Sequence, residues 1–392
     1  MLRIFSFILF TGILVNSANA VGNIHLGRVE FHPYLETMGT YTSNLTQTKE
    51  NALSSFIAKN SVGLGAFWPG DVHLLKIDYG LNIFTFSKLN YDKKSFIKNS
   101  ANIGLDLNFS GGLFSEISDI YLETLSPASG EDAGVIERTE NTGNFIIGYN
   151  PGARVNFSVS YMNVLHDYKL SVYNTLDRME QYVGPLVYVK LMNKTSLVVD
   201  YKFGAIGYKY STGSISKDST QHDIMIGITE KINSKLTYEV KGGVELRNYN
   251  DLPENDFSTP IAGLSLIFQP SALWGIDLKF LRRAYESNWA TNYYFLQNKT
   301  DLGVNWYPVT KITLTLRTGY EFNQYTNEES NPSTGSQEKR TDGVLPFGID
   351  ITYDIKSWLK TNFGYSLRSR SSNFDQWDYS ENRISLAILI VL

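Results

Sequence analysis

The sequence predicts an all-β fold, a transmembrane antiparallel up-and-down β-barrel of about 18 strands, with sixteen as the neighbouring even count. Three observations predict it. Side chains alternate between apolar and polar with a period of two along most of the chain. Tight turns and longer polar loops follow each other in alternation. Tyr and Trp gather near both kinds of connection.

Composition removes several other readings. The 392 residues are 42% hydrophobic, 14% aromatic and 19% charged, and none is Cys. Disulfide frameworks and thiolate metal sites are therefore impossible. The net charge of −4, from 35 basic and 39 acidic residues, argues against nucleic acid as a partner. A mean hydropathy of −0.19 is too polar for a bundle of membrane helices.

The first element is an address. Arg3, the apolar run Ile4–Val15 and the small-x-small site Ala18-Asn19-Ala20 read as a secretory signal peptide over residues 1–20, leaving 21–392 as the barrel domain. That run is too short to span a bilayer, and no later apolar segment is long enough.

The strands follow. In Lys235–Arg247, Leu236, Tyr238, Val240, Val244 and Leu246 share one face. Lys235, Thr237, Glu239, Lys241, Glu245 and Arg247 share the other. Leu75–Phe84, Asn102–Ser110, Ser196–Gly204, Lys311–Asn323 and Lys360–Arg370 repeat the pattern, with Val198 an apolar exception on a polar face. The candidate strands are 28–43, 55–68, 72–87, 95–110, 112–125, 136–150, 153–170, 178–191, 196–212, 220–232, 235–249, 256–269, 274–289, 291–307, 311–325, 339–353, 357–372 and 379–391.

Their connections are of two kinds. Pro69-Gly70-Asp71, Gly111, Pro151-Gly152 and Asn233-Ser234 carry turn-forming residues. Asn44–Asn51, Ser126–Gly134 and Thr326–Glu338 are longer and polar. Short turns at one end and longer loops at the other are the outer-membrane pattern. Trp68, Tyr149, Trp274, Trp306, Tyr307, Tyr353 and Trp358 lie near the short turns. Tyr41, Tyr210, Tyr249, Tyr285, Trp289, Tyr320, Tyr325, Trp377 and Tyr379 lie near the loops, as two interfacial belts would require. Side chains cannot fill a soluble barrel of this size. A barrel that is apolar outside and wet inside removes that difficulty and pairs every backbone group. The expected surroundings are outer-membrane lipid.

The inward face carries both signs of charge. The lumen-lining candidates are Lys76, Asp78, Asp106, Arg154, Asp200, Lys202, Glu239, Lys241, Glu245, Arg247, Lys299, Asp301, Arg317, Glu321, Arg368 and Arg370. Two readings fit them: a salt-bridge lattice that stiffens a solvated wall, or groups that select a solute. Arg317, Arg368, Arg370 and Arg383 make the C-terminal part richer in inward Arg, as a patch for anions or as partners of nearby carboxylates.

Catalysis is not expected. His25, His32, His73, His166 and His222 are scattered without metal-ligand spacing, although His166 and His222 each stand beside an Asp near the loop end. No cofactor is implied. The first strand begins near Arg28, which leaves no room for a plug, and the longest loop, Thr326–Glu338, lacks an apolar anchor for folding inward.

The first strand reads Phe31-His32-Pro33-Tyr34-Leu35, then Gly39-Thr40-Tyr41-Thr42-Ser43-Asn44. With Ser118-Asp119-Ile120-Tyr121, Arg138-Thr139-Glu140-Asn141 and the closing Glu381-Asn382-Arg383-Ile384-Ser385-Leu386, it resembles the putative beta-barrel porin 2 family. The resemblance implies an outer-membrane barrel of a Gram-negative bacterium. It also implies a channel for a hydrophilic solute or glycan, linked to exopolysaccharide secretion. A non-conducting structural or adhesive barrel, with loops that bind glycans or partners, is the alternative.

Overall fold

The computed structural model of the chain describes residues 24–89, 94–126, 131, 134–152, 154–210, 216–288 and 292–392. The segment Met1–Ala20 and the belt residue Trp289 lie outside the described residues.

One antiparallel sheet contains every strand. Its members are β1 (Ile24–Leu26), β2 (Val29–Thr42), β3 (Ser55–Pro69), β4 (Leu74–Phe86), β5 (Ser95–Asn108) and β6 (Leu113–Thr124). Next come β7 (Arg138–Tyr149), β8 (Val155–Tyr168), β9 (Arg178–Lys190), β10 (Thr195–Tyr208), β11 (Ser219–Lys231), β12 (Leu236–Tyr249) and β13 (Phe257–Ser271). The remainder are β14 (Trp274–Glu286), β15 (Tyr294–Val309), β16 (Ile312–Ser330), β17 (Gln337–Lys356), β18 (Leu359–Ser372) and β19 (Tyr379–Val391). Each strand from β2 to β19 pairs with the next, and β19 pairs with β2, which closes an 18-strand barrel.

β1 was not expected, and the seam explains it. The closing strand ends with Val391 opposite Tyr34, while β2 runs on down to Val29. β1 covers that stretch, with Ile24 opposite Phe31 and Leu26 opposite Val29. It pairs backbone groups that would otherwise form an open edge.

Alternation fixes which way each strand faces. Ile226 on β11 and Leu386 on β19 are 59% and 55% exposed on the outer wall, whereas Glu245 on the inward parity of β12 is 0% exposed. On β6 the outward apolar residues Leu113 and Ile117 give way to Asp119, Tyr121 and Glu123. Asn141 Nδ2 donates to Asp119 Oδ1 at 3.0 Å and Asn99 Nδ2 to Glu123 Oε2 at 3.0 Å, which satisfies these outward carboxylates at the upper edge of the apolar belt.

Three expectations change in detail. Strands β16 and β17 extend well beyond the wall, so the loop expected over Thr326–Glu338 shrinks to residues 331–336. There Ser333 N–H donates to Asn331 Oδ1 at 2.9 Å, and Gly335 adopts a φ of 72°, which favours glycine. In the lower aromatic belt Tyr149, Trp274, Trp306 and Tyr353 lie on the outward parity, with Trp274 and Trp306 stacked at 5.4 Å, whereas Tyr307 and Trp358, beside turns, have the parity of Asp301 and Lys360. The upper belt is split. Tyr41 and Tyr320 point out, but Tyr249, Tyr325 and Tyr379 share the parity of the lumen charges and are buried inside. Proximity to a loop gave their height; the strand's parity decides their side. Val198 keeps its expected place on the polar face: it is fully buried on the inner wall, opposite Tyr188 and Gly227.

Candidate functional site

The inner wall is the site. Directly opposed residues of an antiparallel pair share a face, so the register assigns every inward row. Lys76 and Asp78 lie inward on β4 and Asp106 on β5. Asp200 and Lys202 do so on β10, and Glu239, Lys241, Glu245 and Arg247 on β12. Lys299 and Asp301 follow on β15, Arg317 and Glu321 on β16, and Arg368 and Arg370 on β18. Arg154 precedes β8 at the rim, exposed, and its Nε donates to the Lys190 carbonyl at 3.4 Å.

These residues do not form one site. On β9–β14 the inward charges are buried together. Arg247 Nη2 donates to Glu245 Oε1 and to Gln221 Oε1, both at 2.7 Å, and its Nη1 meets Glu286. Tyr208 Oη donates to Glu286 Oε2 at 2.6 Å, reaching from β10 to β14. Lys241 Nζ lies 2.9 Å from Asp200 and 3.3 Å from Glu239, and Tyr188 Oη donates to Glu239 at 3.3 Å. Arg178 Nε donates to Glu180 at 2.7 Å. His166 sits 3.7 Å from both Glu140 and Glu180. Buried charges survive only when paired, and here groups two to four strands apart supply the pairs. Side chains of this arc reach across it to one another.

The remaining wall mixes exposed and buried charges. Lys299 Nζ lies 3.1 Å from Glu321 and 3.7 Å from Asp301, and Arg368 lies 3.5 Å from Glu321. Arg383 Nε donates to Glu381 at 2.7 Å, and Lys360 lies 3.2 Å from Asp354. Across the barrel, Tyr34 Oη donates to Asp78 at 3.4 Å and lies against Gly63 and Gly80, where a Cβ would displace it. Lys76 Nζ stands 5.9 Å from the Phe67 ring centroid.

One loop bridges the mouth. Glu131, in the connection from β6 to β7, is 1% exposed and reaches the connection from β14 to β15. Ser287 Oγ donates to its Oε1 at 2.6 Å and Asn288 N–H to its Oε2 at 2.7 Å. Arg370 Nη1 holds the Glu131 carbonyl at 3.1 Å, and Gly134 N–H donates to Gln47 Oε1 at 3.4 Å. The roots of this connection do have apolar anchors: Leu125 and Val135 pack on Leu45, Phe86 and Phe96, while Ile136 joins Tyr168 and Leu176. Sequence reasoning sought an anchor only in the longest loop and so missed this one. It also passed over Arg340, which stands between Tyr325 at 4.6 Å and Trp377 at 4.7 Å beside the same mouth.

The two histidines near the loop end do not meet. His166 faces the lumen, whereas His222 faces outward, where its Nδ1 lies 2.8 Å from Tyr201 Oη. Among the described residues no group of three or more His, Asp or Glu could hold a metal ion.

Known proteins give the fold a context. OpdK, an outer membrane protein of Pseudomonas aeruginosa, superposes with a TM-score of 0.50 at 9% identity, covering 92% of this chain and 99% of its own. OccK2 (OpdF) of the same organism gives 0.51 at 9% identity, covering 93% of this chain and 98% of its own. At such identities the likeness speaks for the fold alone. No curated protein matches the chain in sequence. A family model described as Putative beta-barrel porin 2 matches residues 191–390, about half of the chain. The chain belongs to that family, and it is a porin-like β-barrel of the Gram-negative outer membrane.

Proposed function

We propose that the barrel passes small hydrophilic solutes passively, along the part of the inner wall formed by β15–β19 and β2–β5. One observation carries this reading. Several charged side chains there keep contact with water: Asp301 is 34%, Arg368 33% and Arg383 43% exposed, whereas Arg340, Asp342 and Arg370 nearer the mouth are buried as Glu245 and Arg247 are in the packed arc. A conducting wall needs polar groups that a solute can reach. On this reading Lys76, Asp78, Asp106, Lys299, Asp301, Arg317 and Arg368 meet the solute, while the buried Glu321 holds Lys299 and Arg368 in place. Asp200, Lys202, Glu239, Lys241, Glu245, Arg247 and Arg370 hold the wall in shape, and Arg154 stands at the rim. Export relies on residues 1–20 as a signal peptide, so the mature protein begins at Val21.

Planar-bilayer recording tests the reading. The purified barrel should give discrete open-channel steps, and liposome swelling should fall as the solute grows. A persistently silent bilayer removes it. A glycan is the larger solute class that the family resemblance suggests, through exopolysaccharide secretion. Swelling by an oligosaccharide as fast as by a monosaccharide would support it.

The Glu131 bridge across the mouth favours a second reading, a closed barrel whose loops bind a partner. That reading predicts silence in the same recordings, with current appearing once Glu131 is replaced.

A further inference from the structure

The C-terminal wall carries five inward arginines, and the structure separates them: Arg340 is buried and donates from Nε to Asp342 Oδ1 at 2.9 Å. Arg368 is held by Glu321 and donates from Nε to Tyr379 Oη at 3.0 Å. Arg370 is buried and donates to the Trp377 carbonyl at 2.6 Å. Arg383 is held by Glu381. Arg317 is exposed, and among the described residues it makes no hydrogen bond or ion pair.

The register explains its freedom. Arg317 is opposed by Gly303 on β15 and by Gly348 on β17, so no side chain stands beside it in its own row. Gly319, two positions along β16, faces the same way. The next residue in the row beyond Gly348 is Ser366. The result is a gap in the row beside Arg317, open on the Gly348 side. Carboxylates border it without closing on the guanidinium. Asp277 lies over Gly303, its Oδ1 2.5 Å from where a Cβ would stand, and Asp301 Oδ1 lies 3.1 Å from the same point on Gly319. Asp350, opposite Thr315, is the diagonal neighbour.

We infer that Arg317 is the anion-reading residue of this wall, taking an oxyanion of the passing solute, carboxylate or phosphate, on the fork of its guanidinium. The inference rests on the channel reading above and adds the solute's chemistry to it. A guanidinium with free donors binds such groups bidentately, and Gly348 on one side leaves room for the solute to approach to hydrogen-bond distance. Asp277, Asp301 and Asp350 around it oppose a held anion and so favour its release, which conduction needs.

The test is single-channel recording of the whole barrel in chloride, with inorganic phosphate added as the probe. Phosphate should reduce the wild-type current. Arg317→Gln should need at least tenfold more phosphate for the same block, and Arg317→Lys should fall between, because it keeps the charge without the fork. Gly348→Asp is the second variant, since the nearest atom to a Cβ at Gly348 is 3.7 Å away. It places a carboxylate opposite Arg317 and should abolish the block with the arginine still present. Lys194→Gln, on the turn between β9 and β10, should behave as wild type. A conducting wild type whose phosphate response is unchanged in both Arg317→Gln and Gly348→Asp overturns the inference and leaves the channel reading standing. A wild type without current overturns both.

Discussion

The arc β9–β14 and the arc β15–β19 are built from the same residue types and use them differently. In the first, Arg247 lies among Glu245, Glu286 and Gln221, all buried, and Tyr208 reaches Glu286 from four strands away. In the second, Lys299 and Glu321 pair between adjacent strands, Arg368 reaches the same Glu321 across β17, and among the described residues Arg317 makes no hydrogen bond or ion pair. Charge on an inner wall is therefore not a property of the residue. Where several buried charges from different strands close on one another, as around Arg247, they become a polar core that stiffens the barrel. Where they do not, they remain available to water and to a solute.

Substitutions should divide along the same line. Arg247→Ala leaves Glu245 and Glu286 buried without their partner, and should cost about 3–5 kcal/mol. Unfolding in detergent, followed by heat-dependent gel mobility, would register it as a lowered transition, and an unchanged one would mean this arc is as wet as the other. Glycines extend the comparison. A Cβ at Gly243 in the packed arc would stand 1.8 Å from the Ile224 carbonyl oxygen, whereas at Gly348 in the open arc the nearest atom is 3.7 Å away. Gly243→Ala should destabilise by about 1–3 kcal/mol and Gly348→Ala by under ~0.5 kcal/mol. Equal effects would erase the distinction. Glu131→Gln weakens the charged hydrogen bonds from Ser287 and Asn288, at a cost of about 1–3 kcal/mol, and should raise single-channel conductance or its noise. Identical traces would show that the bridge does not limit flow. The smallest effect belongs to Lys360→Gln, whose half-exposed partner Asp354 gives a pair of about 0–1 kcal/mol.

Much of this was legible in the sequence because alternation is local. The charged face of Lys235–Arg247 needs no knowledge of its neighbours, and the inward parity of β12 follows from it. What a strand faces is not local. Nothing near Arg317 in sequence says that Gly303 and Gly348 will flank it, and nothing near Arg368 says that Glu321 will take it. Tyr249 and Tyr325 read as belt residues because only their distance from a loop was used, although counting two by two from Glu245 and Glu321 gives their true side. β1 follows from the offset at the closing seam, and the reach of Glu131 to Ser287 spans the barrel, so neither leaves a local signal.

The absence of Cys from the chain allows the central contrast to be measured directly. Single cysteines at Asp301, Gln221 and Val240 place one thiol on the open wall, one in the packed arc and one on the outer face. In the folded barrel, a charged thiol reagent should modify Asp301→Cys quickly and Gln221→Cys slowly, while Val240→Cys should react with a lipophilic reagent alone. Rapid modification of Val240→Cys by the charged reagent, or equal rates at Asp301→Cys and Gln221→Cys, would contradict the account.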